Sequence, residues 1–308
     1  MANFIIKDGV CIIPEGVTTI GYQAFYGCTD LTSIVIPDSV TEIGEDAFRG
    51  CTGLTSIEIP DSVTSIELYA FQGCTGLTSI EIPDSVTEIG NGAFEGCAGL
   101  TSIKVAEGNK VYDSRNNCNA IVDRETNTLI SGCKSTVIPD GVTKIGWSAF
   151  RGCTGLASIE IPDSVTKIGQ GAFEGCTGLT NIVISDSETV IDYAAFKGCM
   201  GLTSIEIPKG VTTIGWNAFE GCTGLTSIEI PKGVTTIGEK AFYDCTGLKE
   251  MTLPVGVKKI YKDAFDNCKA LERIYVPTKK TDYYKSRLPE ELHSLIVELQ
   301  PEKKAKKK

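Results

Sequence analysis

The sequence predicts a repeat solenoid: a right-handed curved coil of short stacked β-strands, joined by turns or short helices and closed by a C-terminal helical cap. Three observations predict it. Cysteines stand at 28, 51, 74 and 97, and again at 153, 176, 199, 222, 245 and 268, with a constant step of 23 within each group. The pair Ala-Phe keeps the same phase in ten copies, running from Ala24-Phe25 and Ala47-Phe48 through to Ala241-Phe242 and Ala264-Phe265. Hydrophobic residues make up 42% of the 308 positions but aromatics only 7%, so the core has to be aliphatic. A unit of this length cannot bury its apolar face alone, and stacking identical units is what creates a core.

The unit from Gly53 to Cys74 shows how each element arises. Leu54, Ile57 and Ile59 lead into the alternation of a short strand, so Ile57 and Ile59 face one side while Ser56 and Glu58 face the other. Pro60 and Asp61 then turn the chain, because proline cannot donate to a ladder and aspartate stabilises turns. Val63 and Ile66 point inward from a second extended segment, and Ala70-Phe71 occupy a short helical or irregular turn that closes the coil. Stacking at the strand spacing of roughly 4.8 Å predicts a phenylalanine spine through a continuous aliphatic core.

The 23-residue period lies in the leucine-rich repeat range of roughly 20 to 29 residues. The pattern LxxIxIPxxVxxIGxxAFxGC resembles the treponemal-type leucine-rich repeat of the BspA-like family, over nearly all of residues 11–276. That resemblance implies a non-enzymatic, adhesin-like protein, bacterial or from a mucosal protist, at the cell surface or secreted. Its partners would be host, matrix or other cell-surface proteins.

Departures from the period divide the chain. Residues 1–103 read as an N-terminal array and 138–276 as a C-terminal array, with four full coils before the interruption and six after it. Between Cys97 and Cys153 the step is 56, one repeat plus 33 residues, which places an insert at 104–137. Within it Ala120 to Asp123 and Thr128 to Ile130 flank the polar run Arg124, Glu125, Thr126 and Asn127, predicting a hairpin. The coil at Ile184 carries Ser185 in place of the usual proline and Glu188 in place of the usual valine. An inward glutamate is costly, so this coil is expected to be distorted. Beyond Val276, Pro289 followed by Leu292, Leu295, Ile296 and Leu299 predicts an amphipathic helix covering the last coil within residues 277–302. Residues 303–308 form a lysine tail.

Composition and motifs exclude several functions. The net charge is −10 although the tail adds Lys303, Lys304, Lys306, Lys307 and Lys308, so the body is acidic and nucleic acid or an anionic membrane is not its expected partner. No apolar run is long enough to insert into a membrane, and MANFIIKDGV lacks the basic start and apolar segment of a signal peptide. That leaves a cytoplasmic protein-interaction scaffold as the alternative reading. A single histidine, His293, excludes a multi-histidine metal site and disfavours a histidine-based triad; it reads as a surface residue. HExxH, GxxxxGK[ST] and CxxC are missing, and no GxGxxG follows a strand, so neither catalysis nor a cofactor is expected. Asp113, Asn116, Asn117, Asn119 and Asp123 lack the EF-hand glycine and glutamate and read as turn residues.

Of the thirteen cysteines, ten share one repeat position and would stack as small buried apolar groups with parallel side chains, poor geometry for bridging. Cys118 and Cys133 lie nearly symmetrically about the hairpin turn, which leaves a disulfide open against two buried thiols.

Two surface columns are the candidate binding sites. On the strand face, serines from Ser33 to Ser227 alternate with Glu58, Glu81, Glu160, Glu206 and Glu229, which repel one another unless solvent or a basic partner screens them. After the Ile-Gly pair, one position varies sharply between near-identical units, holding Tyr22, Glu45, Leu68, Asn91, Trp147, Gln170, Tyr193, Trp216, Glu239 and Lys262. Tyr22, Leu68, Trp147, Tyr193 and Trp216 are candidate interface anchors. The competing reading has these rings folded over the Ala-Phe turn as packing.

Overall fold

In a computed structural model, which describes residues 4–186 and 190–300, each unit forms one coil whose two extended segments stack in parallel on the next. The first segment is seen in Ser79–Ile82 on Ser102–Val105 and in Ser158–Ile161 on Asn181–Ile184. Ile80 lies beside Ile103 and Ile159 beside Ile182, since a one-residue slip would turn every isoleucine to solvent. The second segment is shorter. Thr19–Ile20, Glu42–Ile43, Ser65–Ile66 and Glu88–Ile89 make one parallel stack, and the strands from Lys144–Ile145 to Lys259–Ile260 make another.

The Ala-Phe segment is an irregular turn rather than a helix. In every coil but the last, the residue preceding the Ala-Phe pair takes a left-handed conformation even where it is not glycine, as at Gln23, Asp46, Tyr69, Ser148, Ala194, Asn217 and Lys240. That conformation costs roughly 1–2 kcal/mol in a residue with a Cβ. The offset is a ladder: Phe25, Phe48 and Phe71 each donate their N–H to the alanine carbonyl of the next coil at 2.7–2.8 Å. The rings form the expected spine, stacked 5.2–5.4 Å apart from Phe4 to Phe94 and 5.0–5.6 Å apart from Phe150 to Phe265. Glycine is required where coils touch most closely, because a Cβ at Gly178 would lie 2.2 Å from the Thr154 carbonyl oxygen.

The cysteine column does more than fill space. Cys51, Cys74, Cys97, Cys176, Cys199, Cys222 and Cys245 donate their thiols to the phenylalanine carbonyl of the preceding coil at 3.0–3.2 Å. Burial pushes the thiol pKa up, to about 12 for Cys153 and Cys222.

The insert is a three-stranded antiparallel unit, Tyr112–Asp113, Ala120–Asp123 and Thr128–Gly132, whose last strand pairs in parallel with Lys144–Ile145. Asn109 locks its entry: its Nδ2 donates to the Pro83 and Val86 carbonyls and its Oδ1 accepts from the Val111 and Tyr112 N–H groups. Asp113 is held by Arg115 at 2.8 Å and Arg124 at 3.2 Å, while Asn116, Asn117 and Asn119 turn the chain in left-handed conformations. The insert also separates two hydrophobic cores. Ile121 and Cys133 pack with the N-terminal core, and Cys118, Ala120, Val122 and Leu129 with the C-terminal one.

The possible Cys118–Cys133 bridge is not formed, and all thirteen cysteines are free thiols. A bulge between Ile121 and Val122 shifts the register from Val122 opposite Leu129 to Ile121 opposite Ser131. One residue of shift sends the two thiols to opposite faces and into different cores.

Two further expectations change. The capping segment is not one amphipathic helix: Thr281–Lys285 is helical, Glu290–Leu295 is a tight 3₁₀ turn, and Ile296–Glu298 adds a parallel strand to Arg273–Val276. It covers the core with Tyr284 and Leu288, both buried, because a strand there also satisfies the edge that the last coil would otherwise leave open. His293 is half-buried, its Nε2 3.0 Å from the Leu288 carbonyl oxygen, rather than a free surface residue. The distortion expected from Glu188 lies outside the described residues, as does the lysine tail, but the strands on either side, Asn181–Ile184 and Val190–Ile191, keep the parallel register.

At the N-terminus, Ile6–Lys7 and Val10–Ile12 form a hairpin. Its turn is Asp8-Gly9, both left-handed, the dipeptide a type I′ turn prefers.

Candidate functional site

On the strand face Glu58, Glu81, Glu160, Glu206 and Glu229 are all exposed, but they do not form an unbroken acidic column. Pairing places Lys104 beside Glu81, with an ion pair at 2.9 Å, and Val183 beside Glu160. An exposed pair of this kind contributes little stability. At the N-terminal end the same position holds Ile12 and Val35 side by side, 70% and 55% exposed. Nothing in the coil requires β-branched residues there, since their neighbours Cys11 and Ile34 already supply the buried face.

The strand ladder is segmented. Residues 56–59 and 204–207 follow the strand path without strand pairing, and a depression opens beside each of these stretches. One, of about 440 Å³, lies between Val35, Asp38, Glu58 and Asp61. Another, of about 370 Å³, brings Glu206 and Glu229 together with Lys209. A third, of about 520 Å³, lies at the insert and joins Glu160 to Asp140, Val137 and Val183. The structure thus groups four of the five glutamates into pits that each also carry apolar surface.

In the variable column, Tyr22, Tyr193 and Trp216 are exposed, whereas Leu68 and Trp147 are half-buried. Both tryptophans meet a tyrosine across a coil, and in each pair one ring lies over a glycine. Trp216, 50% exposed, lies over Gly238 and meets Tyr261 edge-on with centroids 6.1 Å apart. Tyr69 lies over Gly92 and meets Trp147 at 6.0 Å. Trp147 therefore serves packing between the two arrays, while Trp216 packs on one face and leaves the other open.

A third column went unread in the sequence, the position just after Ala-Phe. It holds Tyr26, Arg49, Gln72, Glu95, Arg151, Glu174, Lys197 and Glu220, and neighbours complement one another along the stack. Gln72 donates to Glu95 at 2.7 Å, Arg151 bridges Glu95 at 3.3 Å and Glu174 at 3.2 Å, and Lys197 meets Glu220 at 3.1 Å. Arg49 lies over the rings of both Tyr26 and Tyr69. The signal was present as charges alternating at the repeat spacing, across the insert as well as within the arrays.

Charge is also divided along the chain. Lys7 and Arg49 are the only basic residues before Lys104, against fourteen aspartates and glutamates, whereas residues 249–287 carry ten basic side chains against five acidic ones. Among the described residues no group of three or more His, Cys, Asp or Glu could hold a metal ion, and no helix is long and apolar enough to cross a membrane.

Comparison with known proteins places this architecture. Similar solved structures include a leucine-rich cell surface protein from Faecalibacterium prausnitzii A2-165, 34% identical with a TM-score of 0.65, covering 86% of this chain and 64% of that one. This chain therefore spans less than two thirds of that protein. A leucine-rich repeat protein from Eubacterium ventriosum is 25% identical over 84% of this chain and 82% of that one, with a TM-score of 0.63. The pneumococcal vaccine antigen PcpA shares the fold, with a TM-score of 0.76 at 21% identity over 95% of this chain and 80% of that one. No curated protein matches. A family model described as "BspA type Leucine rich repeat region" matches residues 10–120, 130–228 and 215–294. With its 23-residue coils accounted for on both sides of the insert, the chain belongs to the BspA-type leucine-rich repeat family.

Proposed function

We propose that this protein is a non-catalytic, adhesin-like scaffold at the bacterial cell surface, which uses its strand face to bind a host, matrix or other cell-surface protein. The observation that carries this reading is the exposed Ile12–Val35 pair, running into the pit of Glu58, Asp38 and Asp61 on an array with fourteen acidic residues and two basic ones. An apolar anchor beside acidic side chains suits a partner that presents an aliphatic or aromatic group ringed by lysine or arginine. Exposed Tyr22, Tyr193 and Trp216 offer further anchors on the adjoining turn face. The likeness to a leucine-rich cell surface protein supports the location.

An intracellular interaction scaffold is the second reading, favoured by thirteen free thiols, which are usual in reducing compartments. That observation weighs less here, because the ladder thiols are buried and hydrogen-bonded and so are protected in either compartment.

The test is capture of matrix and cell-surface proteins, and of cytosolic proteins from a cell lysate, by residues 1–302 across a salt series, beside Val35→Asp and Trp216→Ala variants. Binding that weakens by about tenfold or more with added salt and in Val35→Asp, with melting unchanged, supports the reading. Capture of cytosolic proteins alone moves it to the intracellular scaffold.

A further inference from the structure

The two arrays peel apart along part of their junction. Within each array the residue before Ala-Phe and the phenylalanine both donate to the next coil: Tyr69 to Asn91 and Phe71 to Ala93 before the insert, Ser148 to Gln170 and Phe150 to Ala172 after it. At the junction, the Ala149 carbonyl that Phe94 would have used accepts instead from Gly132 of the insert, at 2.9 Å. Gly132 takes that place because the Phe150 ring lies where its Cβ would be. The coils rejoin two residues on, where Gly96 donates to Arg151 at 2.8 Å.

The wedge between these points is a cavity of about 140 Å³, bounded by Asn91, Phe94, Glu95, Ile130, Trp147 and Ser148. A water molecule needs only about 10–15 Å³ of such space, so there is room for a small organic group. Two buried polar atoms at its wall, Glu95 Oε2 and Ser148 Oγ, make no hydrogen bond of good geometry, although the Ser148 hydroxyl lies close enough to the Glu95 carboxylate to steady its charge. The Glu95 side chain is 9% exposed and Ser148 4%. The other Glu95 oxygen is already taken by Gln72 and Arg151. Arg151 in turn is shared with Glu174, so its single charge is divided between two carboxylates and the cavity side keeps net negative charge. A buried carboxylate oxygen served only by a poorly aligned hydroxyl is costly, and a native chain rarely keeps one.

We propose that this junction cavity is a binding site for a primary ammonium group, which donates to Glu95 Oε2 and Ser148 Oγ while its alkyl carbons lie against Trp147 and Ile130. A carboxylate, a hydroxyl and an aromatic wall are the elements that select an alkylammonium over a neutral alcohol of the same size. The group has two possible sources, a free small amine or the lysine side chain of a bound protein. This site is independent of the strand-face reading, as it lies between the turns and the insert and shares none of the strand-face glutamates.

The test is titration of n-propylammonium, Nα-acetyl-lysine amide and a lysine-containing peptide into the full chain, with 1-propanol as the neutral isostere. Calorimetry and the Trp147 indole N–H resonance report binding. Saturation by propylammonium with Kd near 1 mM is expected, in keeping with the affinity ceiling for four heavy atoms. Glu95→Gln should weaken it by about tenfold or more. Ser148→Ala is the second variant if Glu95→Gln melts without a cooperative transition, and should weaken it by at least about threefold. Saturation by the free amines assigns the site to small ligands, and saturation by the lysine peptide alone assigns it to a partner's lysine. If no ammonium compound saturates, if 1-propanol matches propylammonium, or if the variants bind unchanged, the cavity holds only water and the proposal is overturned.

Discussion

At the scale of single residues, burial controls the chemistry of the groups that looked most reactive. Cys222 is enclosed, and its thiol donates to the Phe196 carbonyl at 3.2 Å. Its pKa is pushed from 9.0 up to about 12, mainly by loss of solvent. The folded chain thus holds a proton at pH values where the unfolded chain has lost it. Stability from this group is complete below pH 9 and declines as pH rises toward 12. In paired denaturant titrations, the advantage of wild type over Cys222→Ala should shrink by about 1–2 kcal/mol between pH 8 and pH 10.5, at up to about 1.4 kcal/mol per pH unit; parallel curves would refute it. Native thiol labelling should be slow for the ladder cysteines, and all thirteen should react after denaturation without reductant, as a chain lacking disulfides requires. Glu95 follows the same logic in the acid range. Burial raises its carboxyl pKa above 4.5, so the folded chain favours the proton more than the unfolded chain does. Wild type should gain stability relative to Glu95→Gln as pH falls from 7 to 5, and a constant difference would show that burial is not the dominant influence on Glu95.

At the scale of the coil, stability resides in contacts between identical positions. The Thr-Gly-Leu step brings glycines such as Gly53, Gly76, Gly178 and Gly247 against a threonine carbonyl of the previous coil, and at Gly178 no side chain fits. Gly178→Ala is expected to lower stability by about 1–3 kcal/mol, the usual cost of overpacking. Gly16 tests the other use of glycine: a Cβ there meets no atom within 4 Å, but φ is +85°. Gly16→Ala should therefore cost no more than about 1–2 kcal/mol, the left-handed penalty alone. Thermal and denaturant melts of the two variants distinguish steric contact from backbone strain; equal effects would mean the packing argument is wrong.

At the scale of the whole molecule, the insert decides whether the arrays behave as one body. Ile121 and Cys133 face one core while Ala120, Val122 and Leu129 face the other, so Ala120–Asp123 and Thr128–Gly132 act as a wall shared by both. Solenoid stability is a sum of units and their nearest-neighbour interfaces. The weakest interface is therefore where cooperativity breaks. Gly132→Leu drives a side chain into the Phe150 ring and should split a single unfolding transition into two, read by circular dichroism and calorimetry. A single transition at unchanged temperature would show that the arrays are coupled elsewhere.

The sequence by itself determined the coil. Ten Ala-Phe pairs and a fixed cysteine step define the period, and strict periodicity leaves stacking in register as the way to bury every unit, so strand positions, the phenylalanine spine and the buried thiols were all legible. The candidate glutamates and tyrosines were legible as columns for the same reason. What only the tertiary structure decided lies where the period fails. The bulge between Ile121 and Val122 sends Cys118 and Cys133 to different cores, and the chain end closes with a strand because an open sheet edge had to be paired. Pits on the strand face and the wedge beside Glu95 arise from coils that part and rejoin, a property of two units together. Local sequence encodes the conformation of each coil, whereas gaps, registers and shared walls are set by non-local packing between coils that the period does not describe.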